Sequence, residues 1–78
     1  MDLNLRDLRA FVAVAQTGSF TRAASKLNLS QPALTVQIRR LEETVGARLF
    51  DRNSRTVALT SVGRELLPVL QKSLADMQ

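Results

Sequence analysis

The sequence predicts a mainly α-helical fold: three short helices, a β-hairpin, and a longer fourth helix. Three observations predict it. Residues 20–39, Phe-Thr-Arg-Ala-Ala-Ser-Lys-Leu-Asn-Leu-Ser-Gln-Pro-Ala-Leu-Thr-Val-Gln-Ile-Arg, read as a short helix, a tight turn, and a second helix opening on Ser30-Gln31-Pro32. Apolar residues recur at helical spacing before and after that stretch. Between residues 48 and 59 the pattern changes to two short apolar-rich runs around a polar, basic centre. The 78 residues suffice for one small domain, and an apolar content of 45% argues against disorder.

The first helix is expected over about Leu5 to Thr17. Leu5, Leu8, Phe11, Val12 and Ala15 form its apolar stripe. Asn4 suits the N-cap, and Gly18 stands where a helix ends in a left-handed residue. Ser19 then caps a short helix from Phe20 to Leu27, whose buried face is Phe20, Ala23, Ala24 and Leu27. Two helices crossing this tightly need small residues at the crossing, and the alanines supply them. Asn28 follows, where the turn demands an unusual backbone angle.

Ser30 caps the third helix, Gln31 to Val45, with Pro32 in the first turn, where its missing N–H costs nothing. Leu34, Ile38, Leu41 and Val45 step along one core stripe, and Gly46 ends the helix. Arg48-Leu49-Phe50 and Thr56-Val57-Ala58-Leu59 flank Asp51-Arg52-Asn53-Ser54-Arg55, which reads as a hairpin with a basic tip. A hairpin directly after such a helix is the wing of a winged helix-turn-helix. Thr60 caps the last helix, Ser61 to Gln78, and Pro68 is expected to bend it. Val62, Leu66, Val69 or Leu70, Ser73 or Leu74, and Met77 form its stripe. At full length this helix extends about 27 Å, long for so small a domain, and its stripe is still running at the last residues.

Charge is concentrated. Residues 19–55 carry seven cations against three anions, and the remainder carries four against four. The whole formal charge of +4 therefore lies on the helix-turn-helix and the segment after it, which favours a polyanionic partner. Other classes lose their chemistry. There is no histidine and no cysteine, and no Gly-rich phosphate loop or metal-ligand spacing, so neither an enzyme nor a cofactor is expected. The aromatic residues are Phe11, Phe20 and Phe50, all at core-like spacing, so a single-strand stacking platform lacks its rings. No apolar run approaches a membrane span of about 18 residues, and Met1-Asp2-Leu3-Asn4 lacks the start of a signal peptide. No membrane partner is expected, and cytoplasmic residence is the default expectation.

On a wheel of about 100° per residue, the face of the third helix opposite its core holds Pro32, Val36, Arg39, Arg40 and Glu43, with Ala33 beside them. Gln31 and Thr35 lie nearer its edge, and Gln37 on the other flank. The N-terminal part of such a helix reaches deepest into a major groove of double-stranded DNA. Glutamine there can pair with adenine, and Val36 can pack on a thymine methyl, although single exposed apolar residues are common on any surface. Arg22, Lys26, Arg39 and Arg40 are candidates for phosphate contacts, and Thr21, Ser30 and Thr35 add hydroxyls. Arg52 and Arg55 at the wing tip suit a minor groove or backbone. Glu42 is expected to pair with a neighbouring arginine. A rival reading is a winged helix that binds an acidic protein partner.

Several ordered blocks strongly resemble the N-terminal DNA-binding domain of the bacterial LysR-type transcriptional regulators. They are Leu8-Arg9-Ala10-Phe11-Val12-Ala13-Val14-Ala15, Gly18-Ser19-Phe20-Thr21-Arg22-Ala23-Ala24, and Leu27-Asn28-Leu29-Ser30-Gln31-Pro32-Ala33-Leu34. Gln37-Ile38-Arg39-Arg40-Leu41-Glu42, Gly46-Ala47-Arg48-Leu49-Phe50-Asp51-Arg52, and Leu59-Thr60-Ser61-Val62-Gly63 complete the set. The resemblance implies a winged helix-turn-helix over 1–60 and a linker helix over 61–78 that pairs antiparallel with a second copy. The dimer interface would then be Val62, Leu66, Val69, Leu70, Leu74 and Met77, and the dimer would read an imperfect inverted repeat. It also implies a C-terminal effector-binding domain, absent from this chain, as the seat of any small-molecule effector. By position it favours Gln31, Pro32, Thr35 and Arg52 for DNA contact, with Ser30 and Thr21 near phosphates. Many members carry arginine where this chain has Val36, so that arginine's contacts do not transfer.

Overall fold

The computed structural model describes residues 3–51 and 56–77. Helix α1 (Leu5–Thr17), α2 (Phe20–Lys26) and α3 (Gln31–Val45) are followed by strands β1 (Phe50–Asp51) and β2 (Ala58–Leu59) and by helix α4 (Ser61–Met77). The start of each of the first three helices is fixed by a side chain. Asn4 accepts the N–H of Arg6, Ser19 that of Arg22, and Ser30 that of Ala33. Their ends are fixed by backbone freedom: Gly18 and Gly46 close α1 and α3 in the left-handed region at φ 68° and 82°.

Helix α1 is the hub. Leu8, Ala10, Phe11, Val12, Ala13 and Val14 are all buried, because α2, α3 and α4 pack around it. That is a wider apolar surface than the single stripe expected from sequence, and Leu5 and Ala15 are only half-buried at its rim. Leu34, Ile38 and Leu41 of α3 meet it from one side, and Leu70 of α4 from another.

The two strands pair antiparallel, Phe50 opposite Leu59 and Asp51 opposite Ala58. They are shorter than the expected runs 48–50 and 56–59, and the first is shifted. Arg48 and Leu49 are not strand because Leu49 has other work. Its N–H donates to the Glu42 carboxylate at 2.8 Å, and its carbonyl accepts from the Thr60 N–H at 3.0 Å. Phe50 anchors the hairpin by packing on Phe11 and Phe20, with ring centroids 5.4 and 5.7 Å apart. Such aromatic pairs add to the stabilisation from area alone.

Thr60 starts α4. Its hydroxyl donates to the carbonyl of Arg48 at 2.6 Å and accepts from the N–H of Gly63 at 3.0 Å. Gly63 is buried, and a Cβ there would overlap the carbonyl oxygen of Leu49, so glycine is what allows α4 to start against the wing root. Helix α4 continues through Pro68, which is exposed. No helix among the described residues is long and apolar enough to cross a membrane.

Two outcomes follow for stability. Glu42→Ala leaves the buried N–H of Leu49 without its acceptor and should cost about 1–3 kcal/mol, read as a lower urea midpoint. Gly63→Ala should cost a similar amount, about 1–3 kcal/mol by overpacking, with the lost midpoint recovered by neither salt nor a change of pH.

Candidate nucleic-acid interface

Helices α2 and α3 are joined by Leu27-Asn28-Leu29-Ser30, four residues that reverse the chain. Leu27 closes α2 through bonds to Ala23 and Ala24, and the Leu29 N–H reaches back to the Ala24 carbonyl at 2.8 Å. The turn requires Asn28 at φ 57°, a left-handed angle that asparagine tolerates better than most residues. Ala23 and Ala24 are buried where α2 meets the core. This is the expected helix-turn-helix, with the second helix capped by Ser30 and running from Gln31, Pro32 in its first turn, as read from sequence.

Helix α3 is sharply two-sided. Leu34, Ile38, Leu41 and Glu42 are buried. Gln31, Pro32, Val36, Arg39, Arg40 and Glu43 are exposed, and Ala33, Thr35 and Gln37 are half-buried on its flanks. Val36 is 56% exposed and stands at the apex of the free face. Thr21 of α2 donates to the side-chain oxygen of Gln31 at 3.4 Å, a long contact that ties the two helix starts together. Thr21, Arg22 and Lys26 of α2 are exposed, as is Ser30. Arg52 and Arg55, expected at the wing tip, lie outside the described residues.

Two acidic side chains have roles that the sequence reading missed. Asp7 of α1 is buried, and its carboxylate binds the guanidinium of Arg40 at 3.2 Å across to α3. Arg40 is therefore a tether between helices as well as a candidate phosphate contact. A signal was present: Asp7 lies four and seven residues before Phe11 and Val14, on a core stripe where a carboxylate needs a partner. Glu42 was expected on an arginine. It is buried, and its carboxylate accepts the N–H of Leu49. Its position four residues after Ile38 of the core stripe marked it, but the partner comes from a segment whose path sequence periodicity does not describe.

Helix α4 resolves the alternatives left open in its stripe. Leu70 is 4% exposed: expected in the dimer interface, it belongs instead to the core of its own chain, because α1 lies against that side of α4, whereas Val69 is 57% exposed. Val62, Leu66 and Leu74 are half-buried against the core, and Met77 is 50% exposed. The helix thus carries two apolar edges. One, through Leu70 and Leu74, is used internally; Val69 is exposed on the other, with Val62 and Leu66 half-buried between them.

A capped, two-sided second helix, a tight preceding turn and a hairpin behind it define the protein as a winged helix-turn-helix DNA-binding domain. A family model described as bacterial regulatory helix-turn-helix protein, lysR family, matches residues 5–64, and the chain belongs to that family. It is 46% identical over 81 residues to the RuBisCO operon transcriptional regulator of Allochromatium vinosum, covering 100% of this chain and 27% of that protein. It is 53% identical over 76 residues to the Hca operon transcriptional activator HcaR of Escherichia coli, covering 97% of this chain and 25% of that protein. The chain thus spans about a quarter of these two relatives. Among solved structures, the BenM DNA-binding domain in complex with benA site 1 DNA is similar with a TM-score of 0.90 and 44% identity, over 96% of this chain and 84% of that one. Vibrio fischeri DarR in complex with DNA is similar with a TM-score of 0.94 and 34% identity, over 99% of this chain and 26% of that one.

The tether gives Arg40 and its neighbour different expected behaviour. Arg40→Ala leaves the buried Asp7 carboxylate without its cation and should destabilise the fold by roughly 1–3 kcal/mol. Arg39→Ala, on the exposed face, should shift thermal unfolding by less than about 0.5 kcal/mol. Calorimetry on the two variants compares them directly.

Proposed function

We propose that this chain is the DNA-reading part of a bacterial LysR-type transcriptional regulator, and that it binds double-stranded DNA sequence-specifically with α3 in the major groove. One observation carries the reading: α3 buries Leu34, Ile38 and Leu41 on one face and leaves the opposite face free from its capped N-terminus onward, with Pro32 and Val36 at its centre and Gln31 exposed at its edge. Gln31, Pro32, Thr35 and Val36 meet base edges. Thr21, Arg22, Ser30, Arg39 and Arg40 meet phosphates, which set register and affinity rather than sequence. Arg52 and Arg55 of the wing meet the backbone or minor groove. Two similar structures, the BenM DNA-binding domain and DarR, are complexes with DNA, which supports the same mode here.

The functional unit is a homodimer through α4. Support comes from the flank where Val69 and Met77 are exposed and Val62 and Leu66 are only half-buried, beside a core face already satisfied by Leu70. A second copy aligned antiparallel covers that flank, and the pair reads two halves of an imperfect inverted repeat. Residues 1–60 form the reader and 61–78 the linker. An effector-binding domain outside this chain responds to a small molecule, the protein works by binding rather than catalysis, and it resides in the cytoplasm.

Duplex affinity should fall by about 0.9 log units per log unit of salt for each phosphate contact, and titration against an equally charged polyanion must show a preference for duplex. Gln31→Ala should cost about 1–3 kcal/mol on a selected duplex and far less on random DNA; equal losses on both would remove Gln31 from base reading. Val69→Asp sets a charge in the open flank without touching the core. Sedimentation should then give the monomer mass, with unchanged helicity.

A further inference from the structure

We infer that Val36 is a specificity-determining residue that reads the C5-methyl group of a thymine in the major groove. The inference rests on the DNA-binding reading above and goes further, to the chemical group that one side chain selects. Among the described residues three large apolar side chains are exposed, Val36, Val69 and Met77, and Val36 is the one on α3. It lies outside the core cluster and outside the apolar residues packed against it, so the fold makes no use of its side chain. Local propensity does not explain it either, since unbranched residues favour a helix more than valine does.

Its surroundings define what it can contact. Pro32 stands one turn earlier on the same exposed face, and half-buried Ala33 lies beside it. Pro32 and Val36, with Ala33 beside them, therefore make the crest of the first turns of α3 an apolar ridge. Gln31 and Thr35 run along one edge of it, and Arg39 and Arg40 stand one turn beyond. Polar groups thus sit beside the ridge, where they can reach base edges and phosphates, while the ridge itself cannot replace a hydrogen bond to water. A ridge of this kind, set against base-edge donors and acceptors, strips them of water and returns nothing. The thymine methyl is the apolar group that base pairs present in this groove. Because valine is stiff at χ1, its two methyls are held in place, so one base position is selected rather than a general A·T bias.

The test uses the 78-residue chain and duplexes recovered with it from a random pool. Each thymine of a recovered duplex is replaced in turn by deoxyuridine, which deletes the methyl and preserves the pairing and groove acceptors. One thymine in each half-site should lose about fourfold in affinity on replacement. Val36→Ala should bind the thymine and deoxyuridine duplexes equally, and Val36→Ile should restore the difference. Both variants should unfold at the wild-type temperature, since position 36 is exposed. If every deoxyuridine duplex binds like its parent, or if Val36→Ala loses as much as wild type on the replacement, the inference is overturned while DNA binding stands. If the chain prefers no duplex over random DNA, the DNA-binding reading fails, and this inference with it.

Discussion

A buried carboxylate at the end of α3 is the constraint on which the DNA-facing half of the molecule depends. Glu42 is removed from water one turn before the helix ends, where a carboxyl group needs a hydrogen-bonding partner. The N–H of Leu49 supplies one, and that bond, with those from the Gly46 and Ala47 N–H groups to the Glu42 carbonyl, sets the path of residues 46–49. Gly46 makes the reversal possible, and Leu49 is thereby brought to where its carbonyl receives Thr60. Thr60 in turn closes on Arg48 and caps α4. The last turn of α3, the root of the hairpin and the first turn of α4 are thus linked by one continuous run of hydrogen bonds. Phe50, next in sequence to Leu49, adds an apolar lock by reaching Phe11 and Phe20.

The opposite edge of α3 is held differently. There the link is ionic, from Arg40 to Asp7 on α1, and it is half open to solvent. The inner link is buried and directional; the outer one is softer and shares its cation with the proposed binding face. Between them Leu34, Ile38 and Leu41 fill the interface with α1. Helix α3 is consequently supported on three sides, and its free side is left to chemistry rather than folding. That division explains how Val36 can occupy the crest without cost to the core.

Much of this architecture was legible in the residues, because its determinants are local. Asn4, Ser19, Ser30, Gly18 and Gly46 are helix boundaries written in single side chains or in their absence, and the bounds of α1 and α3 follow from them. Asn28 announced its turn for the same reason. What periodicity could not decide was which way an apolar residue faces when two stripes lie side by side. Val69 and Leu70 are neighbours on α4, and only the position of α1 sends one to the core and leaves the other outside. The short strands were displaced, and the fates of Asp7 and Glu42 were missed, because each depends on a partner distant in sequence. Seven residues separate Glu42 from Leu49 and thirty-three separate Asp7 from Arg40. The membership of the lysR family was readable for a further reason: Gly18, Ser19, Asn28, Ser30 and Gly46, which set the fold, stand within the ordered blocks that resemble it.

The missing side chain at Gly63 lets α4 rest on two supports. With no Cβ to hold it off, the helix is seated directly on the wing root at one end. Leu70 and Leu74 fasten it to the core further along, so its 17 residues run as a strut of about 25 Å. A helix held at two points does not pivot about one. A push at Met77 is shared between the core around α1 and the wing root, where the residues that hold α3 in place also lie.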